Sequence, residues 1–337
     1  MDFGFNDEQQ EIKRTAREFL TARFSPEKVR ELAESRSYDD AQWREICELG
    51  WPGIAIDEAK GGQGLGVVEL VILSEELGYA CAATPFLSNA AAGLIIQAAG
   101  SDEQREGWLP GIASGEARGA SAFTQDEAAI VPDAEGAAVI LLPEGDGATL
   151  VMASDAQVEP LELIDSTRSY ARVSAAGGDP LPGELATGIC RVFVAVAAEL
   201  TGVAQRAMEM AVEYAKEREQ FGRPIGSYQA VSHRCAQMFL DTEEARSLTY
   251  YAAWAADAEP ESLPLAAAMA KARASDAAWG VTASALQVLG GIGFTWEHDL
   301  HFLLKRARAT GQLMGTAREQ REQVADLVGL AAEPVAG

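Results

Sequence analysis

The feature that most constrains this chain is the apolar periodicity of its C-terminal half. Val196, Leu200, Val203, Ala207, Met210 and Tyr214 recur at three- and four-residue spacing. Only an α-helix gathers such positions onto one face. After the connection "REQFGRPIGSY", a second stripe of Val231, Cys235, Met238, Ala245 and Leu248 follows. A loop at Asp257–Pro264 leads to a third helix, which runs to the paired Gly290–Gly291, and a last amphipathic stretch ends near Leu330. Long helices joined by short connections pack antiparallel, so the pattern predicts a four-helix bundle over residues 184–337.

The first 118 residues also read as helices. Asn6 with Gln9 three residues on forms an N-terminal capping pair ahead of Ile12, Ala16, Phe19 and Leu20. Further helices are expected at Asp39–Leu49, at Val67–Leu77 and from Ser88 toward Leu109. The loop "GGQGLG" (Gly61–Gly66) lacks a preceding strand and the GxGxxG spacing, so it reads as a turn rather than a phosphate cradle. Residues 119–183 differ. "AAVILLP", "ATLVMAS" and "YARVSAAGG" are short runs bounded by Gly, Asp and Pro, which read as strands too few for a sandwich of normal size. The expected fold is mainly α with a small β module: an N-terminal helical domain (1–118), a truncated middle β domain (119–183) and the bundle (184–337).

Charge narrows the partners. With 51 acidic against 27 basic residues, the net charge is −24. Nucleic acid and anionic membrane are poor partners for such a surface. No signal peptide or membrane span is read from the apolar runs. Cys47, Cys81, Cys190 and Cys235 form no CxxC pair and read as buried free thiols, which points to a reducing cytoplasmic compartment. His233, His298 and His301 are too dispersed for a metal site. Lys305, Arg306 and Arg308 make the densest basic patch of the bundle, readable as solvated charge or as a face for carboxylates or a cofactor.

Two segments carry a specific resemblance. "KEREQFGRPIGSYQAV" (Lys216–Val231) and "QVLGGIGFTWEHDL" (Gln287–Leu300) resemble signature segments of the acyl-CoA dehydrogenase family. "GYACAATPFL" and "LIDSTRSYARV" are similar to it as well, and the order of helical, β and helical parts agrees. The resemblance implies FAD lying across a subunit interface, with its ADP half against a neighbour's bundle. It implies that Arg218 pairs with the pyrophosphate, Phe221 packs on the ADP half and Gln229 hydrogen-bonds near the adenosine. Gln287 with the backbone of Gly290 and Gly291 would complete the wall. The chemistry suits this, since guanidinium forks match phosphate oxygens and glycine admits close approach. Taken as residues alone, Arg218 equally reads as a solvated helix end and the Gly pair as a helix cap.

The chain also departs from the family pattern. The lead-in to the β module reads "AFTQDEAAIVPD" (Ala122–Asp133), where the family carries Thr-Glu-Pro and then Gly-Ser-Asp. All six tryptophans, at 43, 51, 108, 254, 279 and 296, lie outside the module, so the ring that stacks on the flavin is missing. Removing the α-proton of an acyl-CoA needs a positioned carboxylate. The two places where the family keeps it hold Met314, in "GQLMGT", and Val192. Glu199, two turns along the same helix as Val192, is the nearest carboxylate, and an ion-pair role is expected for it. The resemblance therefore implies no catalytic residue here. It implies a non-catalytic β subunit of an α2β2 acyl-CoA dehydrogenase of the actinobacterial kind that acts on bulky, sterol-derived CoA esters. A catalytic partner chain would hold the flavin ring, the Glu and most of the acyl-CoA, with electron-transfer flavoprotein as acceptor. Two alternatives stand beside it: a self-sufficient dehydrogenase using Glu199, and a scaffold without cofactor contact.

Overall fold

The computed structural model describes residues 4–122 and 129–330. Six helices come first: α1 (Asp7–Arg23), α2 (Pro26–Ser35), α3 (Asp40–Glu48), α4 (Val67–Tyr79), α5 (Phe86–Ala99) and α6 (Asp102–Ser114). The Asn6–Gln9 capping box is formed, each side chain satisfying the other's backbone N–H. Two boundaries differ from the sequence reading. Helix α2 was not expected, although Ser25 caps it and Pro26 occupies its first turn. The helix expected to run from Ser88 toward Leu109 is two helices, split at Gly100–Ser101, where Ser101 and Gln104 make a second capping box.

The middle segment holds more strands than the sequence suggests. They are β1 (Gly119–Ser121), β2 (Ala129–Pro132), β3 (Val139–Glu144), β4 (Gly147–Met152), β5 (Ala156–Pro160), β6 (Tyr170–Ala175) and β7 (Asp179–Pro180). One sheet runs in the order β1-β3-β4-β7 and the other β2-β6-β5, with β1–β3 the parallel pair. Ala120, Ile140, Val131, Ala171 and Val173 from both sheets form a separate small apolar core. The three runs picked out in the sequence are β3, β4 and β6. The remaining strands are too short or too polar for a period of two to show. Residues 123–128, within the lead-in to this module, lie outside the described residues.

Four helices make the bundle: α7 (Ala186–Glu217), α8 (Gln229–Ala258), α9 (Leu263–Leu289) and α10 (Leu300–Thr310), with α11 (Ala317–Leu327) packed on α9. A small hairpin, β8 (Glu219–Gln220) and β9 (Arg223–Pro224), joins α7 to α8. By length and composition α7 and the segment Pro260–Phe294 match membrane spans. Most of α7 is nevertheless buried by its neighbours, α4 and α9 above all. Helices α4 and α7 cross closely: a Cβ on Gly202 would lie 1.9 Å from the Glu75 carbonyl oxygen, and one on Gly78 2.1 Å from that of Glu199. Those two glycines let the N-terminal helices and the bundle share one core. The four cysteines are free, Cys81 and Cys190 buried, Cys47 and Cys235 partly so.

Candidate functional site

Helices α7, α8 and α9 run alternately up and down the bundle. Arg218, the hairpin, Gln229 and the Gln287–Gly291 turn therefore all fall at one end of it. Arg218 ends α7, and its side chain has no ion-pair or hydrogen-bond partner among the described residues. Phe221 and Gly222 form the two-residue turn of the hairpin, with φ of 54° and 79°. Positive φ at both positions is the type I′ geometry that matches strand twist. Glycine adopts it freely, whereas a phenylalanine there costs about 1–2 kcal/mol. Phe221 is nonetheless 95% exposed. Arg223 lies 4.0 Å over the Tyr228 ring, and Tyr228 Oη donates to the Gln220 carbonyl at 3.0 Å, so the hairpin is braced while Phe221 is not covered.

Gln229 opens α8 and is exposed, as is Gln287 near the end of α9. Over Gln229–Leu240, Met238 is the single buried residue, and Phe239 and Leu240 are each 53% exposed. Gly290 has φ 62° and ψ −134°, a conformation that glycine alone adopts without strain. A Cβ at Gly290 or Gly291 would meet nothing within 4 Å, so the backbone there is open to approach. Phe294 and Trp296, just beyond, are 73% and 72% exposed.

At the other candidate region, Met314 takes φ 60° in the turn between α10 and α11. It borders a cleft of about 880 Å³ between the β3–β4 hairpin, α5, the start of α7 and this turn. Ile189 and Phe193 line the cleft, and Val192 between them is fully buried. Two described carboxylates reach it, Asp146 and Glu319. Glu319 is engaged: the Thr316 N–H donates to it at 2.6 Å, holding it below the usual carboxylate range as half of a capping box. The Thr316-x-x-Glu319 spacing is that of a capping box and is legible in the sequence. Beneath the turn lies fully buried Lys271, which donates to the carbonyls of Gly311 and Gly315 and to Ser275 Oγ, each at 3.1 Å. Burial pushes its pKa down to about 8.

Glu199 is not placed as a base. Arg168 Nη2 donates to its two oxygens at 3.0 and 2.7 Å, Arg306 Nη1 at 3.3 Å and Thr310 Oγ1 at 3.1 Å. Burial alone raises its pKa, but the two guanidiniums outweigh that and hold it below the usual range. The expectation of a surface or interhelical ion pair holds in its interhelical form, since Glu199 of α7 pairs with Arg306 of α10 and both are buried. Arg306 also donates to Asp165 at 2.8 Å, so the expected basic patch is divided. Arg306 points into the core, Lys305 lies 4.2 Å over the Trp296 ring and Arg308 5.4 Å over that of Trp279. No local signal in the sequence foretells this network, since its members come from residues 133–310.

Known proteins agree with this architecture. The family model "Acyl-CoA dehydrogenase, N-terminal domain" matches residues 6–116, and "Acyl-CoA dehydrogenase, C-terminal domain" matches 193–329. The acyl-CoA dehydrogenase IpdE2 of Mycobacterium tuberculosis is 34% identical over 327 residues, covering 93% of this chain and 95% of that one. The ChsE4–ChsE5 complex of Mycobacterium tuberculosis superposes with a TM-score of 0.88 at 27% identity, covering 99% of this chain and 100% of the matched one. A Tcur3481–Tcur3483 steroid ACAD variant gives 0.87 at 28% identity, over 96% and 98%. With both terminal domains matched and a relative aligned along nearly its whole length, the chain belongs to the acyl-CoA dehydrogenase family.

Proposed function

We propose that this chain is the base-less subunit of a heteromeric, FAD-dependent acyl-CoA dehydrogenase. It would supply the wall for the ADP half of the cofactor, while a partner chain supplies the flavin-ring site and the catalytic carboxylate. The observation that carries this reading is the state of the carboxylates. The expected base positions hold Met314 and Val192, and Glu199 is consumed by Arg168 and Arg306. A carboxylate held in its charged form by two guanidiniums, below the usual range, is a poor acceptor for an α-proton.

The residues at the bundle end fit the ADP half. Arg218 offers phosphate oxygens a guanidinium fork with no partner among the described residues, Phe221 an exposed ring, and Gly290–Gly291 a backbone that no described residue crowds. Gln229 and Gln287 bring amides to the same end. The β module does not fit the flavin ring equally well, since it holds no tryptophan. The alignment with the acyl-CoA dehydrogenase FadE27 of Mycobacterium tuberculosis spans 376 residues against the 337 of this chain, which agrees with a shortened module. FAD, when bound, takes the hydride from the β-carbon; this chain's part is to hold and orient the cofactor's far half. The named complexes ChsE4–ChsE5 and Tcur3481–Tcur3483 support a two-chain assembly, and the latter's description as a steroid enzyme supports a bulky, steroid-derived acyl-CoA. Electron-transfer flavoprotein is the acceptor we assign, and the cytoplasm the compartment.

Co-expression with a catalytic family member tests the reading. The complex is expected to hold one FAD per heterodimer, and Arg218→Ala to lower that content severalfold while the two chains still co-purify. A yellow, active chain purified alone would establish the self-sufficient alternative instead. Unchanged flavin content in the Arg218 variant would leave a scaffold role.

A further inference from the structure

A second cavity lies away from both regions, between α1, α2, the end of α4, α7 and α10. Its volume is about 230 Å³, below the roughly 300–1,000 Å³ of sites for drug-sized ligands. Leu20, Phe24, Val29 and Phe302 give it apolar walls, all four side chains buried in the shared core. Two guanidiniums border it, and they are not equivalent. Arg17 is committed to Glu76, through Nε and through Nη2 at 3.1 Å. Arg206 has one described polar contact, a 3.5 Å approach of Nη1 to Tyr79 Oη, and no carboxylate within 4.0 Å among the described residues.

The acidic groups nearby are spoken for. Glu76 is held by Lys13 and Arg17, and Asp299 by Arg30. Glu209 accepts from Tyr79 Oη at 2.5 Å and from Gln205 Nε2 at 2.8 Å. An acidic chain thus keeps one half-buried guanidinium without a carboxylate partner among the described residues at the edge of a small apolar cavity, its described contacts being those to the hydroxyl and, at 5.4 Å, the ring of Tyr79. That combination selects for a ligand with a planar anionic head and a short apolar body. We propose that this cavity is a binding site for a small monocarboxylate, its head on Arg206 and its tail among Leu20, Phe24, Val29 and Phe302. It is separate from the bundle end and from the Met314 cleft, and stands whether or not the heteromeric reading does.

Calorimetric titration of the full-length chain with hexanoate, hexanamide and acetate tests it. Hexanoate is expected to saturate one site. Hexanamide should bind about tenfold or more weakly, the loss of a charge-assisted contact, and acetate likewise for want of a tail. Arg206→Gln should weaken hexanoate about tenfold or more with an unchanged melting temperature. Thr21→Trp, at an exposed position on the cavity rim, should block hexanoate with Arg206 intact, and carries the test if the Arg206 variant does not fold. Equal binding of hexanoate and hexanamide, undiminished binding by either folded variant, or no saturable heat with hexanoate would overturn the assignment.

Discussion

At the residue scale, Glu199 shows how burial decides what a carboxylate does. An exposed glutamate on a helix exchanges protons freely, whereas this one is buried and accepts from Arg168, Arg306 and Thr310. Removing one partner of a buried pair leaves an uncompensated charge, which costs about 3–5 kcal/mol. Glu199→Leu is therefore expected to lower unfolding stability by about that amount, measured by urea denaturation of the full-length chain. A loss below about 1 kcal/mol would mean that the guanidiniums find other partners. Phe221 is the opposite case: an aromatic ring in a strained turn conformation, 95% exposed, with an edge contact to Tyr228 at 6.5 Å as its one ring contact among the described residues. Strain of that kind persists where a partner or ligand repays it. The ring's identity was legible in the sequence, its φ was not, because a two-residue hairpin inside a helix connection leaves no period to read.

At the element scale, the turn between α10 and α11 is held from below as well as by its own hydrogen bonds. Lys271 on α9 spans to the carbonyls of Gly311 and Gly315, and Gln320 Nε2 donates to the carbonyl of Met314 at 3.1 Å. The turn that would carry a family base is thus still built rigidly although it presents Met314. Lys271→Met should leave the buried carbonyl of Gly311 and the half-buried one of Gly315 without this donor, at a cost of about 1–3 kcal/mol. The local signature expected is faster amide hydrogen exchange over residues 312–316 with little change in α7. Exchange that stays as slow as in the parent chain would assign the rigidity to the Thr316–Glu319 cap instead. A lysine on an apolar helix stripe gives no warning of this in sequence. Its acceptors are about 40 residues downstream and meet it only when α9 and α10 pack.

At the scale of the whole molecule, the two helical parts and the β module are tied by one buried ionic cluster. Asp133 accepts from Tyr38 in the α2–α3 connection, from Ser88 of α5 and from Ser169 Oγ at 3.4 Å, while Arg168 and Arg306 reach Glu199 and Asp165. Three carboxylates face two guanidiniums. Burial pushes the Asp133 carboxyl up to about 7, against the pull of Arg168 and Arg306. A carboxyl whose pKa is raised on folding holds its proton longer in the folded chain, so its contribution declines as pH rises from about 4 to about 7. Urea unfolding at a series of pH values should show the parent chain losing stability relative to Asp133→Asn across that window, and a constant difference above it. A constant difference throughout would place the proton elsewhere in the cluster. The helical periodicity, the Asn6 cap, the strands β3, β4 and β6 and the family segments were all readable from the sequence, because each is fixed by residues close together in the chain. The resemblance read from the sequence also implies that Met314 and Val192 stand where the family keeps its base, and that neither side chain can take a proton is a matter of its chemistry. Only the tertiary structure decided that Glu199 is spent, that Arg306 faces inward, that the described strands β1–β7 pair into two sheets, and that Arg206 has no carboxylate partner among the described residues beside a cavity. Those outcomes depend on which distant charges and backbones meet in a core of low dielectric, where desolvation makes each pairing decisive.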